Sequence, residues 1–153
     1  MLLRWAKPQD SPELAQVFYA AVRKGASPYS QEQRIAWLST PPSGKPWTDR
    51  LARMDVLIAE NDRQIMGFMS IEAGGHIDLA FIRPEHQGSG LFRRLYADIE
   101  LKARKGGEPR LWTHASLMAQ PAFKAMGFVV IHHETVARHG QNLRRAKMEK
   151  PLT

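Results

Sequence analysis

Two groups of residues in this sequence have types and spacing that suit chemistry. The first is a glycine-rich stretch, Gln87-Gly88-Ser89-Gly90, which lies between an apolar segment and a long amphipathic one. Glycines at such a junction let the backbone approach a ligand closely, and the unpaired N–H groups of a following helix attract an anion such as a phosphate. The second group consists of side chains that can accept or relay a proton: His76, Asp78 and His114.

The glycine stretch does not match three common motifs. A dinucleotide fingerprint requires a third glycine at position 93, which is Arg93. A Walker loop ends in Gly-Lys-Ser/Thr, and that ending is absent here. A serine-nucleophile elbow requires glycine at position 87, which is Gln87, so we do not expect Ser89 to act as a nucleophile.

Hydrophobic periodicity and turn residues indicate the elements that position these groups. A cap at Asp10 is expected to open the first helix, and Ser30 and Gln33 resemble a capping box that opens the second. The order β-α-α-β-β-β-α-β-α-β-β predicts a mixed α/β fold, with residues 1–153 forming one domain. The predicted segments are a strand over 1–5, helices from Ser11 and from Ser30 to Leu38, a loop over Thr40–Thr48, strands over Asp55–Glu60, Gln64–Ile71 and His76–Ile82, a long helix over Ser89–Lys105, a strand over Arg110–His114, a small helix ending at Gly127, and strands over Phe128–Val136 and Asn142–Met148.

Composition excludes several classes of protein. The 153 residues are 43% hydrophobic and 24% charged, which is typical of a globular domain. No apolar run is long enough to span a membrane, and Met1–Trp5 is interrupted by charge, unlike a signal peptide. The absence of cysteine rules out disulfides, thiolate metal ligands and a cysteine nucleophile. We therefore expect a cytoplasmic protein that does not contact membranes.

The net charge of +7 is compatible with several anionic partners but selects none of them. Basic and aromatic residues do not alternate in the manner of a nucleic-acid-binding surface, so a nucleic-acid partner is not expected.

Adjacent histidines at positions 132 and 133 point to opposite faces of a strand and cannot chelate one ion together. With no cysteine and no HExxH motif, we expect no metal site.

Two segments resemble motifs of the GCN5-related N-acetyltransferase (GNAT) superfamily. Gln87-Gly88-Ser89-Gly90 resembles its Gln/Arg-x-x-Gly-x-Gly/Ala pyrophosphate loop, although Phe92 stands where a small residue is usual. Downstream, Phe123-Lys124-Ala125-Met126-Gly127-Phe128 resembles its Tyr-Glu-Lys-x-Gly-Phe motif. The resemblance extends from about Asp55 to Phe128 and implies the acyl-CoA N-acyltransferase fold, acetyl-CoA as cosubstrate, and an amine acceptor. The expected assembly is a monomer or a homodimer.

The resemblance also implies where acetyl-CoA binds. The pantetheine arm is expected along the end of the third central strand, and the pyrophosphate over the glycine loop, with Arg93 as a charge partner. The implied residues are Phe81, Ile82, Arg83, Gln87, Gly88, Ser89, Gly90, Leu91, Phe92, Arg93 and Phe123.

Transfer of an acetyl group from a thioester to an amine needs a base for the amine proton and benefits from a proton donor to the thiolate. The usual donor in this family is the tyrosine at the position of Phe123, and a phenyl ring cannot donate a proton. The alternatives are that Tyr29 or a water molecule donates the proton, or that the thiolate leaves unassisted. Tyr29 and Trp47 are also candidate contacts to the acceptor, because the N-terminal helices cover the acceptor site in this family.

Three residues are candidates for the base. Strand alternation places His76 and Asp78 on one face. By the resemblance, His76 aligns with the catalytic glutamate of histone-type members, and His114 with a glutamate of ribosomal-protein-type members. Each is either a base or a hydrogen-bonded structural residue.

Two other functions compete with that of an acetyltransferase. The protein could be a catalytically degenerate member of the family that senses a CoA ester, or a nucleic-acid-binding domain.

Overall fold

The computed structural model describes residues 1–153 and confirms a mixed α/β fold, with one helix more than the sequence predicted. Helices lie between and around two antiparallel sheets, and none of the helices combines the length and apolar character needed to cross a membrane. The strands are β1 Leu2–Trp5, β2 Asp55–Asn61, β3 Gln64–Ile71, β4 Ala80–Ile82, β5 Arg110–Ser116, β6 Val129–Arg138 and β7 Gln141–Pro151; the helices are α1 Ser11–Arg23, α2 Gln31–Trp37, α3 Gly44–Ala52, α4 Leu91–Lys105 and α5 Gln120–Ala125.

The additional helix, α3, replaces most of the loop predicted over Thr40–Thr48, so that prediction was wrong. Trp47 and Leu51 lie four residues apart and are both buried, which gives the helix an apolar face. Pro46 lies in the first turn, where its missing N–H costs nothing because no helical partner exists there. The Pro- and Gly-rich composition that suggested a loop therefore marks a helix start.

The two predicted helix caps have different outcomes. Ser30 forms the expected capping box: its Oγ accepts a hydrogen bond from the N–H of Gln33, and Oε1 of Gln33 accepts one from the N–H of Ser30. Asp10 does not cap α1 with its side chain. Both of its carboxylate oxygens instead accept hydrogen bonds from Arg4 at 2.9 Å, because the β1 guanidinium lies within reach and forms a stronger, charged pair.

The first sheet has the order β1-β2-β3-β4 and buries side chains on both faces. Alternate residues of β2 contribute to two separate cores, as period-two alternation requires. Leu57 and Ala59 pack on the side of α4, whereas Val56 and Ile58 pack on the side of α1 and α3. The second sheet has the order β5-β7-β6.

The two sheets meet at a single parallel bridge between His76 and Trp112. The N–H of Ile77 donates to the carbonyl of Trp112 at 2.9 Å, and the N–H of Trp112 donates to the carbonyl of Gly75 at 2.9 Å. Beyond this bridge the chain leaves β5 and joins β3, where Ser70 Oγ accepts a hydrogen bond from the N–H of Leu79 at 2.9 Å. The strand predicted over His76–Ile82 is thus divided, and β4 proper is limited to Ala80–Ile82.

The C-terminal half of α4 is fixed to β7 by a cluster around Glu100. Its carboxylate accepts hydrogen bonds from Lys150, Tyr96 and Arg104. Burial alone would raise the pKa of Glu100, but these three donors outweigh burial and lower the pKa to about 2. The charged form of Glu100 therefore stabilises the position of α4.

Replacing Glu100 with Gln should lower the melting temperature at pH 7. Because the pKa of Glu100 in the folded state lies below its ordinary value of 4.5, the stabilisation is complete above that value and is lost as the pH falls towards 2. Melting curves of wild type and Glu100→Gln should converge over that acid range. Asp98→Asn, an exposed position on the same helix, is the control and should not shift the melting temperature; a constant difference at every pH would contradict the role of the Glu100 charge.

Candidate functional site

The divergence of β4 from β5 opens a cleft of about 400 Å³, which we call the loop cleft. It is mainly apolar, and its walls come from β4, the start of α4 and α5. The glycine-rich stretch forms one end. The predicted residues that line it are Phe81, Ile82, Gln87, Gly88, Gly90, Leu91, Phe92 and Arg93.

The two glycines of this loop adopt positive φ angles, 75° at Gly88 and 83° at Gly90. A Cβ atom built at either position would meet no atom within 4 Å. Gly90 is also the N-cap of α4, and no side chain caps this helix. The N–H groups of its first turn, from Leu91 to Arg93, are therefore free to bind an anion.

The polar side chains of the loop maintain its shape. The amide nitrogen of Gln87 donates to the carbonyl of Ile82 at 3.0 Å, and Ser89 Oγ donates to the carbonyl of His86. Ser89 does not line the cleft, whereas Arg93 lines it and forms no ion pair. Arg93, in the first turn of α4, is thus the side chain beside the loop that is available to an anionic ligand.

Backbone pairing decides which groups of β4 face the loop cleft. The carbonyl of Leu79 and the N–H of Arg83 both bond to β3. In an antiparallel pair the bonding edge alternates, so the intervening groups of Ala80 and Ile82 point away from β3. The N–H of Ile82 is therefore available to a ligand in the cleft. Arg83 is not, because its N–H bonds to β3 and its guanidinium donates to the carbonyl of Ile65.

A second cavity, of about 180 Å³, lies beside the loop cleft and contains the predicted proton-transfer residues; we call it the histidine cavity. His76, Asp78 and His114 all line it, and the rings of the two histidines have centroids 6.4 Å apart. The two cavities share four lining residues: Ala80, Phe81, Ser116 and Ala119. They therefore meet where β4 separates from β5.

His76 is held in one tautomer by its neighbour. Its Nδ1 lies 2.8 Å from Glu72 Oε1, and an ionised carboxylate can only accept, so Nδ1 carries the hydrogen. The ring stacks on Trp112 at a centroid distance of 4.0 Å. When His76 is neutral, its Nε2 is consequently the basic nitrogen.

His114 is placed to remain neutral at physiological pH. Burial lowers the pKa of His114, and the nearby Arg145 guanidinium lowers it further, against the opposing effect of Glu134. Its Nδ1 lies 3.3 Å from Glu134 Oε1. A neutral imidazole in a cavity of this kind can accept a proton from a bound molecule.

Asp78 has a different role from the two histidines. Its carboxylate forms a two-point pair with Arg50, with distances of 2.9 and 3.1 Å. Such a pair engages both carboxylate oxygens and fixes the two side chains relative to each other. Asp78 is therefore a positioning residue for Arg50, and the prediction that it is a base is not supported by this geometry.

Comparison with known proteins identifies the family of this chain. A family model described as the acetyltransferase (GNAT) domain matches residues 26–152. The chain belongs to the GNAT acetyltransferase family. A GCN5-related N-acetyltransferase from Rhodopseudomonas palustris is 30% identical, with a TM-score of 0.91 over 99% of this chain and 95% of that one.

Two further solved structures share the GNAT fold at lower identity. PaiA N-acetyltransferase from Thermoplasma acidophilum, in complex with coenzyme A, is 19% identical with a TM-score of 0.74 and covers 99% of both chains. YncA, a putative acetyltransferase from Salmonella typhimurium with its cofactor acetyl-CoA, is 20% identical with a TM-score of 0.70 over 100% of this chain and 94% of that one. No curated protein matches the sequence significantly.

Two predicted acceptor contacts of this GNAT domain lie outside the histidine cavity. Trp47 is 3% exposed, and its Nε1 donates to the carbonyl of Ser11 at 2.8 Å, so it is a core residue. The hydroxyl of Tyr29 donates to the carbonyl of Arg144 and accepts from the N–H of Leu117, and burial raises its pKa. Tyr29 is thus committed to joining the N-terminal helices to the second sheet and is not a proton donor to the site.

Phe123 lies at the back of the histidine cavity. It is 2% exposed and packs edge-on against Phe92 and Phe128, with centroid distances of 5.1 and 5.0 Å. It lines the histidine cavity and not the loop cleft, where the resemblance had placed it. Phe92, at the position where a small residue is usual, packs its ring against Phe123.

Sequence reasoning missed most residues of the histidine cavity, including five that lie on five different elements. They come from α2, α3, β5, β6 and β7, and only the register of the β6–β7 hairpin and the position of the N-terminal helices bring them together. A strand pattern gives no information on which distant residues face the same cavity. These five residues are Trp37, Arg50, Ser116, Arg138 and Arg145.

Proposed function

We propose that this chain, as one domain over residues 1–153, transfers an acetyl group from acetyl-CoA to a primary amine. One observation carries the proposal: the loop cleft, which ends at the uncapped start of α4, and a cavity with two histidines meet at the four residues that they share. A thioester bound in the first and an amine bound in the second would meet at this junction. The imidazoles of His76 and His114 would then lie beside the attacking nitrogen.

The chemistry of the loop cleft supports acetyl-CoA as the donor. The uncapped start of α4, with Arg93 nearby, suits a pyrophosphate, and the apolar walls suit the pantetheine arm. The exposed edge of β4 offers the N–H of Ile82 to an amide of that arm. Solved relatives of the same fold with acetyl-CoA and with CoA bound, YncA and PaiA, support the same assignment.

The proposed reaction is direct attack. The amine nitrogen bonds to the thioester carbonyl carbon, the carbon–sulfur bond breaks, and the amine proton passes to a histidine. His114 is the better candidate, since its lowered pKa keeps it neutral, and Nε2 of His76 is the second. Asp78 contributes by holding Arg50.

The departing thiolate needs a hydrogen-bond donor that Phe123 cannot supply. Ser116 lines both cavities, and its Oγ accepts a hydrogen bond from the N–H of Ala119 at 3.2 Å. The hydroxyl hydrogen of Ser116 is therefore free to donate at the junction. Water or Ser116 would assist the thiolate in place of the tyrosine usual in the family.

Replacing Phe123 with Tyr tests this assignment. If a donor is already present or unnecessary, kcat should rise or stay unchanged, because the tyrosine adds a hydroxyl without removing the aromatic ring. The measurement is kcat with acetyl-CoA, with melting temperature as the control for packing. A large fall in kcat at unchanged stability would contradict this assignment and show that the site requires the unsubstituted shape of Phe123.

Thiol release from acetyl-CoA, measured over a panel of primary amines, tests the function. Release that depends on the amine, with double-reciprocal plots that intersect, would support a ternary complex. The competing interpretation is a degenerate domain that only senses a CoA ester. It predicts thermal stabilisation by acetyl-CoA without amine-dependent thiol release, and that result would reject the enzyme.

A further inference from the structure

The histidine cavity has one aromatic side and one cationic side. Phe18, Trp37 and Phe81 form the aromatic side, and Phe18 stacks on Phe81 at a centroid distance of 4.4 Å. The second sheet contributes the guanidinium groups of Arg138, on β6, and Arg145, on β7, to the same lining. A molecule held between these sides would need an apolar body and an anionic group.

Arg145 is incompletely paired. Its Nη2 donates to Glu134 Oε2 at 3.2 Å, while its Nε is buried without a hydrogen-bond partner. Glu134 also lies 3.3 Å from His114 and 3.4 Å from His132, so one carboxylate is shared by three basic side chains. Arg145 also lines the cavity, and Glu134 is the one acidic side chain that pairs with its guanidinium, so this group keeps hydrogen-bond donors for an anion in the cavity.

Arg138 strengthens the excess of positive charge. It lines the cavity and forms no ion pair, in contrast to Arg50, which Asp78 neutralises. The cavity lining thus contains three guanidinium groups and one carboxylate. Glu72 and Glu134 do not line the cavity, but each contacts side chains that do: Glu72 contacts His76, and Glu134 contacts His114 and Arg145.

We infer that the acceptor is a small amine that also carries a carboxylate, which Arg145 and Arg138 bind while the aromatic side holds its apolar body. This inference rests on the proposed acetyl transfer. Arginine matches a carboxylate in planar geometry, and such charged hydrogen bonds are strong where water is partly excluded. An amine without an anionic group would meet the same guanidiniums with no compensating attraction.

Calorimetry with reaction-product analogues tests the carboxylate site. The protein saturated with CoA is titrated with N-acetylphenylalanine and with N-acetylphenethylamine, which differ by the carboxylate alone. We expect the carboxylate compound to bind at least about tenfold more tightly. Arg145→Gln should abolish that preference without changing the affinity for N-acetylphenethylamine, and Arg138→Gln should reduce it. The exposed Arg53, replaced by Gln, is the matched control and should change neither affinity.

Equal affinity for the two compounds, or no measurable binding of either, would overturn the inference. Thiol release with phenylalanine and with phenethylamine separates this failure from failure of the proposed function. Faster release with phenethylamine would leave acetyl transfer in place and remove the carboxylate site. Preferential binding of N-acetylphenylalanine with no thiol release from any amine would leave the site and remove the transfer.

Discussion

Replacing Gly90 with Glu should abolish acetyl-CoA binding, with a loss of affinity of at least about a hundredfold. Gly90 is the N-cap of α4 and faces the loop cleft with φ of 83°. A glutamate there would place a side chain in the space proposed for the pyrophosphate and a negative charge beside it. Calorimetry with CoA measures the loss, and circular dichroism confirms that the variant is folded.

Gly107 provides a matched control for this substitution. It follows the opposite end of α4, has φ of 77°, and like Gly90 has no atom within 4 Å of a built Cβ. Gly107→Glu therefore introduces the same backbone strain and the same charge away from the cleft. It should bind CoA as the wild type does. Undiminished CoA affinity in a folded Gly90→Glu protein would remove the loop cleft from the proposed function.

The second large effect is expected at the histidines. His114→Ala should lower kcat by on the order of a hundredfold at neutral pH while leaving KM for acetyl-CoA nearly unchanged, because a base acts after binding. The defect should shrink at higher pH as the free amine becomes abundant. In the wild type, the lowered pKa of His114 should move the acid limb of the kcat profile to lower pH than an unperturbed histidine would give.

Variants at the neighbouring positions divide the roles. His76→Ala should produce the same pattern if Nε2 of His76 is the base instead, and Asp78→Asn should have a smaller effect because Asp78 holds Arg50. His133→Ala, at an exposed position on β6, is the control and should retain full activity. Full turnover and an unchanged pH profile in both His114→Ala and His76→Ala would mean that the base is elsewhere or unnecessary.

The sequence predicted most of the elements because their signals are local. The Ser30–Gln33 capping box and the apolar run of β2 depend on residues within a few positions of each other. The helix α3 escaped prediction because Pro46 and its neighbours are equally common in loops and in first helical turns. The division of the strand after Ile77 depends on Ser70 and Trp112, which are distant in sequence.

The candidate site was predictable only where a motif or strand alternation carries the information. The loop around Gly88 and Gly90, and the proximity of His76 to His114, agree with prediction. Arg138 and Arg145 reach the cavity through the register of β6 on β7, which the sequence does not encode locally. Trp47 was misassigned because the neighbouring Pro-rich sequence does not indicate whether its indole is buried or exposed.

The most direct test of acetyl transfer is the mass of the amine product. Wild-type protein is incubated with acetyl-CoA and a mixture of primary amines that includes amino acids, and the mixture is analysed by mass spectrometry. We expect at least one amine to gain a single acetyl group on nitrogen, in amounts equal to the CoA released, and none to do so with Gly90→Glu. Binding of acetyl-CoA without any acetylated amine would contradict the proposed function.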